Sequence, residues 1–172
     1  CVKSMGLINF YKNVLIKTMN KIAALWLSSK INPANEHFFS ENIRLKLASE
    51  IEKTKTKEQS DEKWVLFLPE NEFHDIGLLF SNLILKKNGY STIYLGQNLP
   101  RESLLSLKED TTNMLFFITA NKTSNYINEL ILFMQKKFKK SLIYIITKKF
   151  ESNKNKRIKH ISNIDEFLNV LR

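Results

Sequence analysis

Glu72, His74 and Gly77 stand close together between a strand-like run and a helical pattern. Trp64–Leu68 is continuously apolar, as expected of a strand covered on both faces. From about His74 to Lys87 the apolar residues follow a helical period. The polar stretch between these elements is where an α/β domain places ligand-binding groups. Imidazole is a good ligand for cobalt, iron or zinc through one ring nitrogen. A carboxylate two residues away can hold the other N–H and fix the tautomer. Gly77, in the first turn of the helix, lets a bulky ligand approach the backbone. The same residues also describe an ordinary loop histidine beside capping acids. No second His or Cys is near enough in sequence to complete a zinc set. The four glycines, at 6, 77, 89 and 96, form no nucleotide-binding fingerprint.

The elements that must position these residues change character near residue 60. In the first part, Ile8, Tyr11, Leu15, Met19, Ile22 and Trp26 recur at three and four, which predicts one face of a helix. Ser28–Pro33 ends it, with Asn32 as cap and Pro33 as first residue of the next helix. That second helix carries Phe39, Ile43, Leu47 and Ile51 at every fourth position. The charged tract 52–63 reads as a helix end running into a linker. Beyond it, strand-like runs occupy 64–68, 91–95, 114–119, 142–147 and 158–161, with helical stretches at 74–87, 101–108, 124–138 and 165–171. This alternation predicts an α/β fold: a doubly wound, Rossmann- or flavodoxin-like parallel sheet preceded by part of a helical bundle. The expected domains are 1–60, a partial helical cap, and 61–172, the α/β domain. The two helices alone cannot bury both faces, so a homo-oligomer is expected.

Composition bounds the rest. At 172 residues and 43% hydrophobic the chain can bury a proper core. Its one cysteine, Cys1, excludes an internal disulfide and a cysteine-based metal cluster. No apolar run approaches the ~18 residues of a membrane span, so no membrane partner and a cytoplasmic setting are expected. The start at Cys1, beside a helical pattern, raises the expectation of further residues upstream. The net charge is +10, and residues 136–159 hold ten Lys or Arg against one acid, Glu151. Such a stretch could attract a polyanion, but a solvated lysine-rich face explains it as well. No aromatic-interleaved nucleic-acid motif accompanies it.

The segment Glu72-Phe-His74-Asp-Ile-Gly77 is similar to the D/E-x-H-x-x-G signature of cobalamin-binding domains. The resemblance implies that His74 is the lower axial ligand of cobalt, that Glu72 supports it, and that Gly77 admits the corrin. The family's S-x-L segment, which lines the cavity for the nucleotide tail, corresponds to Thr119-Ala120-Asn121. Thr119 keeps the hydroxyl and Asn121 replaces the leucine. The family's later Gly-Gly pair falls near Ile146-Thr147, where side chains would crowd the tail.

The helical half narrows the resemblance. Trp26, nine residues, then Glu36-His37 looks like the bundle segment of light- and cobalamin-responsive MerR-type transcriptional regulators. This implies a cobalamin cofactor, adenosylcobalamin above all, with Trp26 against the adenosyl group and Glu36 and His37 at its polar edges. It further implies DNA binding through a domain upstream, and a non-catalytic sensor whose ligand state is coupled to oligomerisation. Leu27 stands where photoresponsive members place a second histidine, so their bis-histidine state is not expected. The alternatives are a corrinoid carrier protein for methyl transfer, and a degenerate domain that dimerises without cofactor.

Overall fold

The structure, a computed structural model, describes residues 2–55, 61–107, 113–118, 122–147 and 155–171. The described chain divides into two compact units, Cys1–Lys46 and Leu47–Arg172.

The first unit is helical. Helix α1 (Val2–Met5) stops at Gly6, whose φ of 78° suits a residue without Cβ. Helix α2 (Leu7–Phe10) then runs through a π-helical turn, Tyr11–Leu15, into α3 (Ile16–Leu27). The apolar periodicity predicts a helix here but not the wide turn, which shifts the phase of the stripe by one residue. Leu15 is buried, and burial pushes the Tyr11 phenol up to about 12. Helix α3 closes with paired bonds from Lys30 N–H to the Leu25 carbonyl and from Ser29 N–H to the Trp26 carbonyl. Ser29 takes the left-handed conformation (φ 56°) that this closure demands and that glycine usually fills. The next helix, α4 (Pro33–Lys53), begins as expected. The Asn32 Oδ1 accepts from Asn35 N–H at 3.0 Å, and Pro33 fills the first helical position, where no N–H is needed. The stripe Phe39, Ile43, Leu47, Ile51 is the covered side of α4, which crosses from the first unit into the second. Of the expected linker, residues 56–60 lie outside the described residues.

The second unit is a doubly wound α/β domain. Strands β1 (Lys63–Pro69), β2 (Ser91–Leu99), β3 (Asn113–Ile118), β4 (Leu142–Thr147) and β5 (Ile158–Ile161) form one sheet in the order β2-β1-β3-β4-β5. All neighbouring pairs are parallel. Helices α5 (Ile76–Lys87), α6 (Ser124–Lys137) and α7 (Ile164–Val170) connect or follow the strands, and a 3₁₀ segment, Arg101–Ser106, follows β2. A longer helix is expected over 101–108, but the chain makes only tight turns after Pro100.

Every residue of β1 except the first, Lys63, is buried, so the sheet is covered on both sides at this strand. Val65 and Phe67 belong to a core with Met114, Phe116, Ile127 and Leu130. The Phe67 and Phe116 rings stack at 5.2 Å. On the alternate positions, Trp64 stacks on Tyr144 at 4.9 Å and meets Tyr90 and Phe167 edge-on. Burial pushes the Tyr144 phenol up to about 12, with the Glu62 carboxylate adding to it. Helix α5 is buried at Ile76 and throughout Leu78–Leu85, as expected of a helix apolar on most of its circumference. The strand order reverses between β1 and β3, which is the point where doubly wound sheets bind ligands beyond the carboxyl ends of their strands.

Candidate functional site

The loop leaving β1, at that point of reversal, carries Glu72 and His74. Its backbone is fixed from several directions. Glu72 N–H donates to the Pro69 carbonyl at 3.0 Å, closing a turn in which Asn71 is left-handed (φ 58°). From β2, the Asn98 Oδ1 accepts from Asn71 N–H at 2.9 Å, and Asn98 N–H donates to the Glu72 carbonyl at 3.1 Å. Lys122 Nζ donates to the Glu70 carbonyl at 2.8 Å. Asn98 reaches this place because β2 bulges: Leu66 pairs with Tyr94, but Phe67 pairs with Gly96. Gly96 (φ 80°) and Asn98 (φ 55°) supply the left-handed turns. Residues 91–95 are legible as a strand, and the bulged extension to Leu99 is not. Asn71, Asn98 and Lys122 carry no motif, although asparagine's tolerance of positive φ is a weak signal.

Glu72 is 1% exposed, while the side chain of His74 is 71% exposed. One oxygen of Glu72, Oε1, accepts from Phe73 N–H at 3.0 Å, from His74 N–H at 3.2 Å and from His74 Nδ1 at 2.6 Å. Burying a carboxylate costs several kcal/mol. Bonds from N–H groups to a charged oxygen return about 1.5–3 kcal/mol each, enough to hold it there. With the carboxylate as acceptor, Nδ1 carries the ring hydrogen, and the lone pair of the neutral ring is on Nε2. The result is an imidazole held by a buried acid, at the carboxyl end of a central strand. Asp75 N–H donates to the Phe73 carbonyl at 3.0 Å in a further tight turn, and α5 starts at Ile76 rather than His74.

Gly77 lies where α5 meets the sheet. A Cβ at this position would stand 2.9 Å from one ring carbon of Phe117 on β3, and 3.4 and 3.5 Å from two others. Glycine here permits close packing of α5 on β3. Thr119 and Asn121, expected beyond β3, lie outside the described residues. Thr147, near the position of the family's glycine pair, is 6% exposed, and its carbonyl accepts from His160 Nε2 at 2.7 Å.

Trp26, Glu36 and His37 belong to the helical unit and flank the short turn between α3 and α4. Trp26 is 48% exposed in the last turn of α3. Glu36, in the first turn of α4, accepts a hydrogen bond from Ser40 Oγ, and His37 is exposed. On the other side of the sheet from Gly77, a cavity of about 220 Å³ is lined by Glu70, Arg101, Glu102, Tyr126, Glu129 and Leu130. Burial, then the Glu70 carboxylate, push the Tyr126 phenol above its usual range. Among the described residues no cluster of His, Cys, Asp and Glu could hold a bare metal ion. No described helix is long and apolar enough to cross a membrane.

No protein-family model matches the chain, and no curated protein does. Solved structures do. The monomethylamine corrinoid protein of Methanosarcina barkeri superposes with a TM-score of 0.70 at 16% identity, over 98% of this chain and 85% of that one. A cobalamin-binding protein from Desulfitobacterium hafniense DCB-2 gives a TM-score of 0.47 at 14% identity, over 88% and 75%. The first similarity establishes a shared fold: helices followed by a doubly wound parallel sheet. The fold class expected from the sequence is therefore the one the chain adopts.

Proposed function

We propose that the chain binds a corrinoid, with His74 as the lower axial ligand, and serves as a corrinoid carrier for methyl transfer rather than as a catalyst. The observation that carries the reading is the Glu72–His74 pair. One exposed imidazole, held at Nδ1 by a buried carboxylate, suits a metal that needs a single protein ligand. A corrin supplies its own equatorial nitrogens, so one histidine completes its lower side. A bare ion would need a larger set, and the described residues offer none. When bound, the group supplies a cobalt centre able to hold an exchangeable ligand on its upper side. Glu72 keeps the histidine in one tautomer, and the bonds from Asn98 and Lys122 hold the loop in place. The fold shared with a corrinoid protein over nearly the whole chain, helical part included, favours the carrier.

A second reading is kept for one observation, the Trp26, Glu36 and His37 spacing. In that reading the chain is the sensor region of a MerR-type regulator, selective for adenosylcobalamin and coupled to oligomerisation and to DNA through an upstream domain. Visible absorbance of the purified chain titrated with corrinoids tests the shared core. A histidine-bound spectrum that His74→Ala abolishes supports it, and an unchanged spectrum of the added corrinoid rejects it. Methyl exchange with a methyltransferase then favours the carrier. A light-dependent change of mass on the adenosyl form favours the sensor.

A further inference from the structure

Corrinoids differ in what hangs from the lower side of the ring: cobalamin carries a nucleotide tail with a phosphodiester, and cobinamide carries none. A tail displaced by a protein histidine hangs on that histidine's side of the ring. It has to enter the protein near the carboxyl ends of the strands. Among the described residues, neither side of the sheet offers the tail a favourable route.

On the α5 side, the Phe117 ring fills the seam between Gly77 and β3 so closely that a single added carbon would stand 2.9 Å away. Further along, Thr147 is buried and its carbonyl is engaged by His160. On the other side, the 220 Å³ cavity is open to a ligand but bears three carboxylates, Glu70, Glu102 and Glu129, against the Arg101 guanidinium and the Lys122 ammonium, which lies 4.7 Å from the centre of the Tyr126 ring. Arg101 already pairs with Glu102 at 3.5 Å. A phosphodiester there meets net negative charge.

We infer that Phe117 is a specificity residue that closes the tail seam, and that the chain prefers corrinoids without a nucleotide tail. The inference rests on the corrinoid reading above. Filling a packed seam with a further group reduces affinity by about tenfold or more. The full chain is titrated separately with aquocobinamide and hydroxocobalamin, followed by visible absorbance and by co-elution on gel filtration. Cobinamide is expected to bind about tenfold or more tightly than cobalamin. Phe117→Ala is expected to narrow the gap by improving cobalamin binding relative to cobinamide binding. Phe117→Leu serves the same purpose should the alanine variant not fold. Equal affinities in the wild type, tighter cobalamin, or a folded variant with an unchanged ratio would overturn the inference. Binding of neither corrinoid would instead remove the corrinoid reading, and this inference with it.

Discussion

The loop after β1 and the first turn of α4 each present a glutamate and a histidine, yet they are held in opposite ways. In the loop, Glu72 is buried and one of its oxygens gathers two backbone N–H groups and the His74 ring. In α4, Glu36 is bound one helical turn along to Ser40, and His37 is exposed. The first arrangement fixes a side chain before any ligand arrives. The second links two side chains within one helix, and it gives His37 its direction through the helix alone. Ordering a side chain in advance removes an entropic cost from binding, so the loop is the better place for a metal ligand.

The sharpest way to break this comparison is to remove the two histidines in turn. His74→Ala should weaken cobinamide binding by about 100-fold or more, while His37→Ala leaves it unchanged; visible titration reads both. Equal losses would place the two histidines on one footing. The two glutamates come next. Glu72→Gln should cost about tenfold in affinity by releasing the tautomer. Glu72→Ala should in addition destabilise by about 1–3 kcal/mol, because the N–H groups of Phe73 and His74 lose their acceptor. Glu36→Ala should change stability by about 0.5 kcal/mol or less. Denaturant unfolding measures these values.

Smaller effects probe how each region is packed. Gly77→Ala should destabilise by about 1–3 kcal/mol, and part of this cost should vanish in a Phe117→Leu background, since the two positions are in contact. In the helical unit, Ser29→Gly should stabilise by about 0.5–1 kcal/mol, because serine bears the strain of a left-handed closure there. A thermal midpoint that falls instead would mean that the Ser29 side chain contributes something glycine cannot.

Much of the scaffold was legible in the sequence. The strand 142–147 is found where its run places it, because a continuous apolar stretch leaves little choice in the middle of a covered sheet, and the short edge strand 158–161 follows its two buried isoleucines, Ile158 and Ile161. The Asn32–Pro33 start of α4 is legible because a cap and a proline act locally. What escaped depends on contacts distant in sequence. The bulge at Gly96 brings Asn98 to a loop 27 residues earlier, and no local period records that. The π-helical turn at Tyr11–Leu15 shifts the stripe by only one residue, too little to show against a spacing that already alternates between three and four. At the site, Glu72 and His74 were readable as a pair, and the partners that steady their loop were not. Gly77 was readable as a place needing space, but the sequence could not say that Phe117 takes it. Thr119 and Asn121 lie outside the described residues.

The central claim is that the His74 imidazole binds cobalt from below. Electron paramagnetic resonance of the cobalt(II) cobinamide complex tests it most directly, because cobinamide has no nucleotide base of its own. The account predicts a nitrogen triplet splitting that becomes a doublet when the protein's histidines carry nitrogen-15, and that disappears in His74→Ala. A splitting that persists in His74→Ala, or a bound complex with no nitrogen splitting in the wild type, would contradict it.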